Sequence, residues 1–252
     1  MAENPVITYA SHPRGNSGAR LSIRKTCQFA AAGRISPKVM AWSRRKLLEA
    51  GRPRESEDQA KALLYAIRRE KFYIPDPVDA EAIMIPDCLL ADCSGLSMDG
   101  GDCDDLAAAL AAAMSSIGIP TAIVGQAFDN EQNFQHVLVA CDVGVGEWYY
   151  ADPSESYPFG QAKSPSRELW LLVPSGKVLC DKSPGCMIEM QGKPAQTGDR
   201  PSGDFVGVGD AGSDLVSDSS SGSWNFVKFV VVFGLAGYGA VTIGNKLLSK
   251  KR

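Results

Sequence analysis

From Ser36 the chain reads SPKVMAWSRRKLLEAG. Val39, Trp42 and the Leu47–Leu48 pair return at helical spacing, and Gly51 and Pro53 close the run. Ser36 and Pro37 are residue types that open a helix. Ser56-Glu57-Asp58 starts a second periodic run, in which Ala60, Leu63, Leu64 and Ile67 form one apolar stripe before the extended FYIPDP. Residues 77–100 predict a long loop with short extended pieces. An alanine-rich helix follows over 103–117, stopped at Gly118 with Pro120 beyond.

Downstream the pattern becomes that of strands: TAIVGQAF (121–128), HVLVACDV (136–143), EWYYAD (147–152) and RELWLLVP (167–174). The second and third flank Gly144-Val145-Gly146 and predict a hairpin. Helices first and antiparallel strands after them define an α+β domain, placed here over residues 35–197. Residues 1–34 are polar and weakly periodic, and predict a basic arm or edge element.

From Gly198 to Ser223 the chain is rich in Gly, Ser and Asp, the composition of a flexible acidic linker. It leads to FVKFVVVFGLAGYGAVTIG (226–244), whose one charge is Lys228. A membrane span needs about 20 apolar residues. With Trp224 as an interfacial anchor and Lys228 near an end, residues 224–246 predict a single transmembrane helix facing a lipid bilayer, and 247–252 a basic tail. Ala236, Ala240 and Gly244 recur every four residues, a spacing that permits close packing between copies in a homo-oligomer. The opening MAENPVITYASHPRGN has no charged-then-apolar signal pattern. Insertion as a C-terminal tail anchor, with the domain on the cytoplasmic side, is therefore the expected topology. Positive charge after the span argues for the reverse.

The net charge of -3 hides an asymmetry. Residues 1–72 carry 15 Lys and Arg against 6 Asp and Glu, 73–222 carry 6 against 23, and 223–252 carry 5 against none. Either the basic part meets an anionic partner, or basic helices lie across the acidic half of one domain. The seven cysteines include no CxxC pair, so neither a zinc site nor any other cofactor is expected. Cys88/Cys93 and Cys180/Cys186 can close small loops in an oxidising compartment, but scattered free thiols are the expected state.

The candidate chemistry centres on GGDCDDLAAAL (100–110). Cys103 lies in the first helical turn, where backbone N–H groups and the dipole favour thiolate. Asp102 is an N-cap, whereas the charges of Asp104 and Asp105 oppose thiol ionisation, so a basic partner is required. His12 falls in the arm; His136 opens a strand. An odd hairpin connection puts His136 and Asp152 on one sheet face, opposite or one diagonal step apart, so that Asp152 can orient the imidazole.

GDCDDLAAALAAAMSSIGIPTAIVG followed by HVLVACDVGVGEWYYADPS resembles the transglutaminase-like superfamily of papain-type folds, nearest to the transglutaminase-like cysteine peptidases of bacteria and phages. The likeness covers residues 56–160. It implies a papain-like core of helices on an antiparallel sheet, with Cys103 as nucleophile, His136 as base and Asp152 as orienter. It further implies an acyl-enzyme route on peptide or other amide substrates, by hydrolysis or acyl transfer, and a phage or virion setting. EAIMIPDCLL lacks the side-chain oxyanion donor common upstream in that family, which leaves backbone N–H groups or a donor not located in the sequence. The contrasting expectation is a non-enzymatic membrane or virion scaffold on the same fold.

Overall fold

The computed structural model describes residues 6–9, 15–76, 81–91, 99–128, 133–144, 146–183 and 185–191. In chain order the elements are β1 (Val6–Tyr9), α1 (Asn16–Arg34), α2 (Pro37–Glu49), α3 (Ser56–Glu70), β2 (Phe72–Tyr73), β3 (Glu81–Met84), α4 (Pro86–Leu90) and β4 (Gly100–Gly101). Then come α5 (Cys103–Ser116), β5 (Thr121–Ala127), β6 (His136–Asp142), β7 (Trp148–Ala151), β8 (Arg167–Val173), β9 (Val178–Lys182) and α6 (Met187–Met190). The fold is α+β, with helices against a five-stranded antiparallel sheet of order β7-β6-β5-β8-β9.

Helix α5 is the centre of the molecule. Its residues from Leu106 to Met114 are all buried, because α1, α2, α3 and α4 surround the sides that the sheet leaves open. A helix apolar on every side needs such a jacket. Alanine lets that jacket come close. On the same sheet face, Ile123, Val137, Val139, Leu169 and Leu171 complete the main core.

The arm expected over residues 1–34 is corrected in part: Asn16–Arg34 is a helix packed on α5. Its buried face carries Gly18, Ser22, Thr26 and Ala30 at four-residue steps, beside Ile23 and Cys27. A Cβ on Gly33 would lie 2.8 Å from Pro86 and 3.0 Å from Ala112. The face is built of small residues, so its sequence looks polar although it is buried. The folded unit thus includes residues placed outside it by a boundary at 35.

The opposite sheet face holds a second core of Leu138, Trp148, Tyr150, Trp170 and Leu172, closed by Cys186 and Met190. Glu168, 0% exposed, lies there fully hydrogen-bonded. It accepts from Gln126 Nε2 (2.8 Å), Tyr150 Oη (2.6 Å), Trp170 Nε1 (3.2 Å) and the Cys186 amide (2.6 Å). The expectation of free thiols is also corrected. Cys180 and Cys186 form a disulfide, their Cα atoms brought to 6.1 Å as the chain turns back over β9, and Cys88 is disulfide-bonded too. Cys27, Cys103 and Cys141 are free.

Among the described residues, no helix is long and apolar enough to cross a membrane. The linker (198–223), the span (224–246) with Ala236, Ala240 and Gly244, the basic tail and His12 lie outside the described residues.

Candidate functional site

Asp102 caps α5. Its carboxylate accepts from the Asp104 amide (3.2 Å) and the Asp105 amide (3.4 Å), and Asp105 accepts in return from the Asp102 amide (3.3 Å). This reciprocal box fixes the first turn, where Cys103 is the first helical residue. Asp105 also accepts from the Met84 amide at 2.5 Å, tying β3 to the helix start. Burial, with Asp102 adding to it, pushes Asp105 up to about 8 against the Met84 donor, so it holds a proton at neutral pH.

Two further strands frame the turn. β2 runs parallel to β4, with the Phe72 amide donating to Asp99 O and the Ile74 amide to Gly101 O, each at 2.9 Å. A Cβ at Gly100 would collide with the Phe72 carbonyl, so glycine is what lets β2 approach.

The β6–β7 register pairs Val139 with Ala151 and Asp142 with Trp148, leaving five residues between Asp142 and Trp148. That odd connection sets Asp152 one diagonal step from His136, as its parity predicts. His136 Nε2 and Asp152 Oδ2 are 2.7 Å apart. Asp152 Oδ1 accepts from the Ser154 amide (3.1 Å), Ser154 Oγ (2.9 Å) and the Glu155 amide (3.2 Å). Burial opposes the charge on Asp152. The bond and charge of His136 and the Ser154 donors outweigh it and hold this carboxyl below its usual range. An ionised Asp152 accepts Nε2–H, which leaves Nδ1 as the imidazole's acceptor.

Cys103 and His136 line one cleft of about 350 Å³, together with Tyr73, Asp102, Asp104 and Gln135. The thiol is pushed well above its ordinary value by burial first, then by the charges of Asp102 and Asp104, with the Val137 backbone hydrogen bond opposing. The helix position does not produce a standing thiolate. Cys103 keeps its proton, and the His136 imidazole lines the same cleft.

Two residues of this region carry no local signal in the sequence. Arg68, from α3, donates through Nε (3.0 Å) and Nη2 (2.6 Å) to the Asp152 carbonyl and through Nη2 to the Tyr157 carbonyl (2.7 Å). It clamps the loop that holds the aspartate. Tyr73, from β2, reaches the cleft from the extended segment after α3. Among the described residues, the acidic group Asp102, Asp104 and Asp105 is close enough to share a metal ion, but Asp102 and Asp105 are committed to the helix cap.

No family model matches the chain, and no curated protein matches it. Among solved structures, a chain from Parabacteroides distasonis described as a "putative protease" aligns with a TM-score of 0.41 and 11% identity. The alignment covers 71% of this chain and 42% of that one, so this chain spans less than half of that structure's length. A likeness at that level assigns neither activity nor substrate.

Proposed function

We propose that the protein is a thiol enzyme of transglutaminase-like type that acts on peptide or other amide bonds through Cys103, His136 and Asp152. The 2.7 Å bond from Asp152 to His136, which lines the cleft that contains Cys103, carries this reading. As substrate binds, His136 Nδ1 takes the thiol proton while sulfur attacks the carbonyl carbon. The imidazolium then protonates the departing amine and an acyl-enzyme remains. Water or a second amine releases it, giving hydrolysis or acyl transfer. Residues 224–246 are proposed to tether the enzyme to a membrane, with the domain on the cytoplasmic side.

The test is acylation of the full chain by p-nitrophenyl acetate at pH 7.5, read by mass mapping. Cys103 is expected to acetylate stoichiometrically while buried Cys27, pushed up to about 12 mainly by burial, does not. His136→Ala should slow the reaction ~10²–10⁴-fold. Acetylation of Cys103 at the same rate with and without His136 would leave the membrane or virion scaffold as the better reading.

A further inference from the structure

We propose that the Tyr73 hydroxyl is the side-chain donor to the oxyanion formed when Cys103 attacks a carbonyl. The inference rests on the Cys103–His136–Asp152 reading and supplies the part that the segment EAIMIPDCLL does not provide.

Placement comes first. β2 pairs in register with the two residues that lead into the helix cap, so Tyr73 stands opposite Gly101, two positions before the nucleophile. Side chains alternate along a strand, which sends Phe72 and Ile74 to the face opposite Tyr73. Of these three, Tyr73 is the one that lines the cleft with Cys103 and His136. The amides of Phe72 and Ile74 hold the backbone of β2 to Asp99 and to Gly101 of β4, so the ring is hinged on a fixed strand.

The chemistry suits the role. When sulfur bonds to the carbonyl carbon, the C=O π pair moves onto oxygen and the thiol proton moves to His136. Collapse restores the C=O bond and breaks the bond to the leaving group, and an amine leaves with the proton held by His136. Between these steps the oxygen is an anion that needs donors. The Cys103 backbone N–H is one. A neutral phenol is a second, and it must keep its proton at working pH to donate. Partial burial first, then the negative charge that Cys103 carries when ionised and those of Asp102 and Asp104, raise the Tyr73 phenol above its ordinary value, which keeps it protonated. A cationic donor would pair with those carboxylates instead, whereas a hydroxyl tolerates them.

Two probes separate this role from packing. p-Nitrophenyl acetate acylates through a tetrahedral oxyanion; iodoacetamide alkylates by displacing iodide and builds none. Tyr73 is 56% exposed, so Tyr73→Phe removes one oxygen without disturbing the core. In the full chain, Tyr73→Phe is expected to slow Cys103 acetylation by roughly 100-fold. Alkylation of Cys103 at pH 9 should stay within about twofold of wild type. Unchanged acetylation in Tyr73→Phe overturns the proposal, as does an equal fall in both reactions. So does a selective loss in Gln135→Ala that Tyr73→Phe does not show. Failure of wild-type Cys103 to acetylate at all sinks the Cys103–His136–Asp152 reading and this one with it, whereas the other outcomes sink only this one.

Discussion

Asp105 and Asp152 are both buried carboxylates within the same site, and their surroundings send them in opposite directions. Asp152 is surrounded by donors and stays ionised, so its contribution to stability is present above the ordinary carboxylate range and is lost as pH falls through its lowered folded value. Asp105 is raised from 3.8 to about 8. Its contribution is complete below the unfolded value and is lost as pH rises through the folded one. Urea unfolding should therefore show stability falling between pH 5 and pH 8, by at most about 1.4 kcal/mol per pH unit for this one proton. Asp105→Asn, which keeps an acceptor for the Met84 amide, should flatten that slope; an unaltered slope would assign it to another group. The place of Cys103 at the start of α5 and the pairing of His136 with Asp152 were legible in the sequence, because a helix start and the parity of a hairpin are local patterns. Arg68 and Tyr73 were not. Arg68 meets the Asp152 carbonyl from 84 residues upstream, and no local pattern encodes that contact.

At the level of elements, legibility followed the size of the buried side chains. The strands β5, β6, β7 and β8 show themselves through Val, Ile, Leu and Trp, and α2, α3 and α5 lie within a few residues of their predicted bounds. Helix α1 was missed because it meets α5 through glycine, serine, threonine and alanine, which bury little apolar surface each but permit close approach. Strand β9 was missed because its burial is confined to Cys180 and, in part, Leu179. The close approach of α1 has a measurable cost if disturbed. Gly33→Ala should destabilise the protein by ~1–3 kcal/mol, since neither Pro86 nor Ala112 can move without repacking. Gln28→Ala, on the exposed face of the same helix, should stay within about 0.5 kcal/mol. Chemical denaturation of the two variants side by side gives the comparison.

Over the whole molecule, the contrast between a basic N-terminal part and an acidic middle is partly reconciled by folding one onto the other. Arg20 of α1 pairs with Asp181 of β9 at 2.8 Å, and Arg68 of α3 grips the loop after β7. Pairs as exposed as Arg20–Asp181 add little stability. The second core was hidden in the sequence because it forms only when residues 185–191 fold back over the sheet. Replacing Cys180 and Cys186 together by serine should cost roughly 2 kcal/mol in urea unfolding. Acetylation of Cys103 should be retained in that variant, because the groups of the proposed triad belong to α5 and the β6–β7 hairpin. Loss of acetylation in a protein that remains folded would show that the C-terminal segment and the cleft are coupled. The same C-terminal strap also determines how the fold bears mechanical load. A pull applied at Gln191 acts first on its side chain, which is held to the Trp148 carbonyl by one hydrogen bond at 2.5 Å. Once that bond yields and α6 uncoils, the Cys180–Cys186 bridge takes the tension and delivers it to β9. Strand β9 is the edge of the sheet farthest from β7 and separated from β6 by two strands, so the force reaches the fold on the side away from His136 and Asp152.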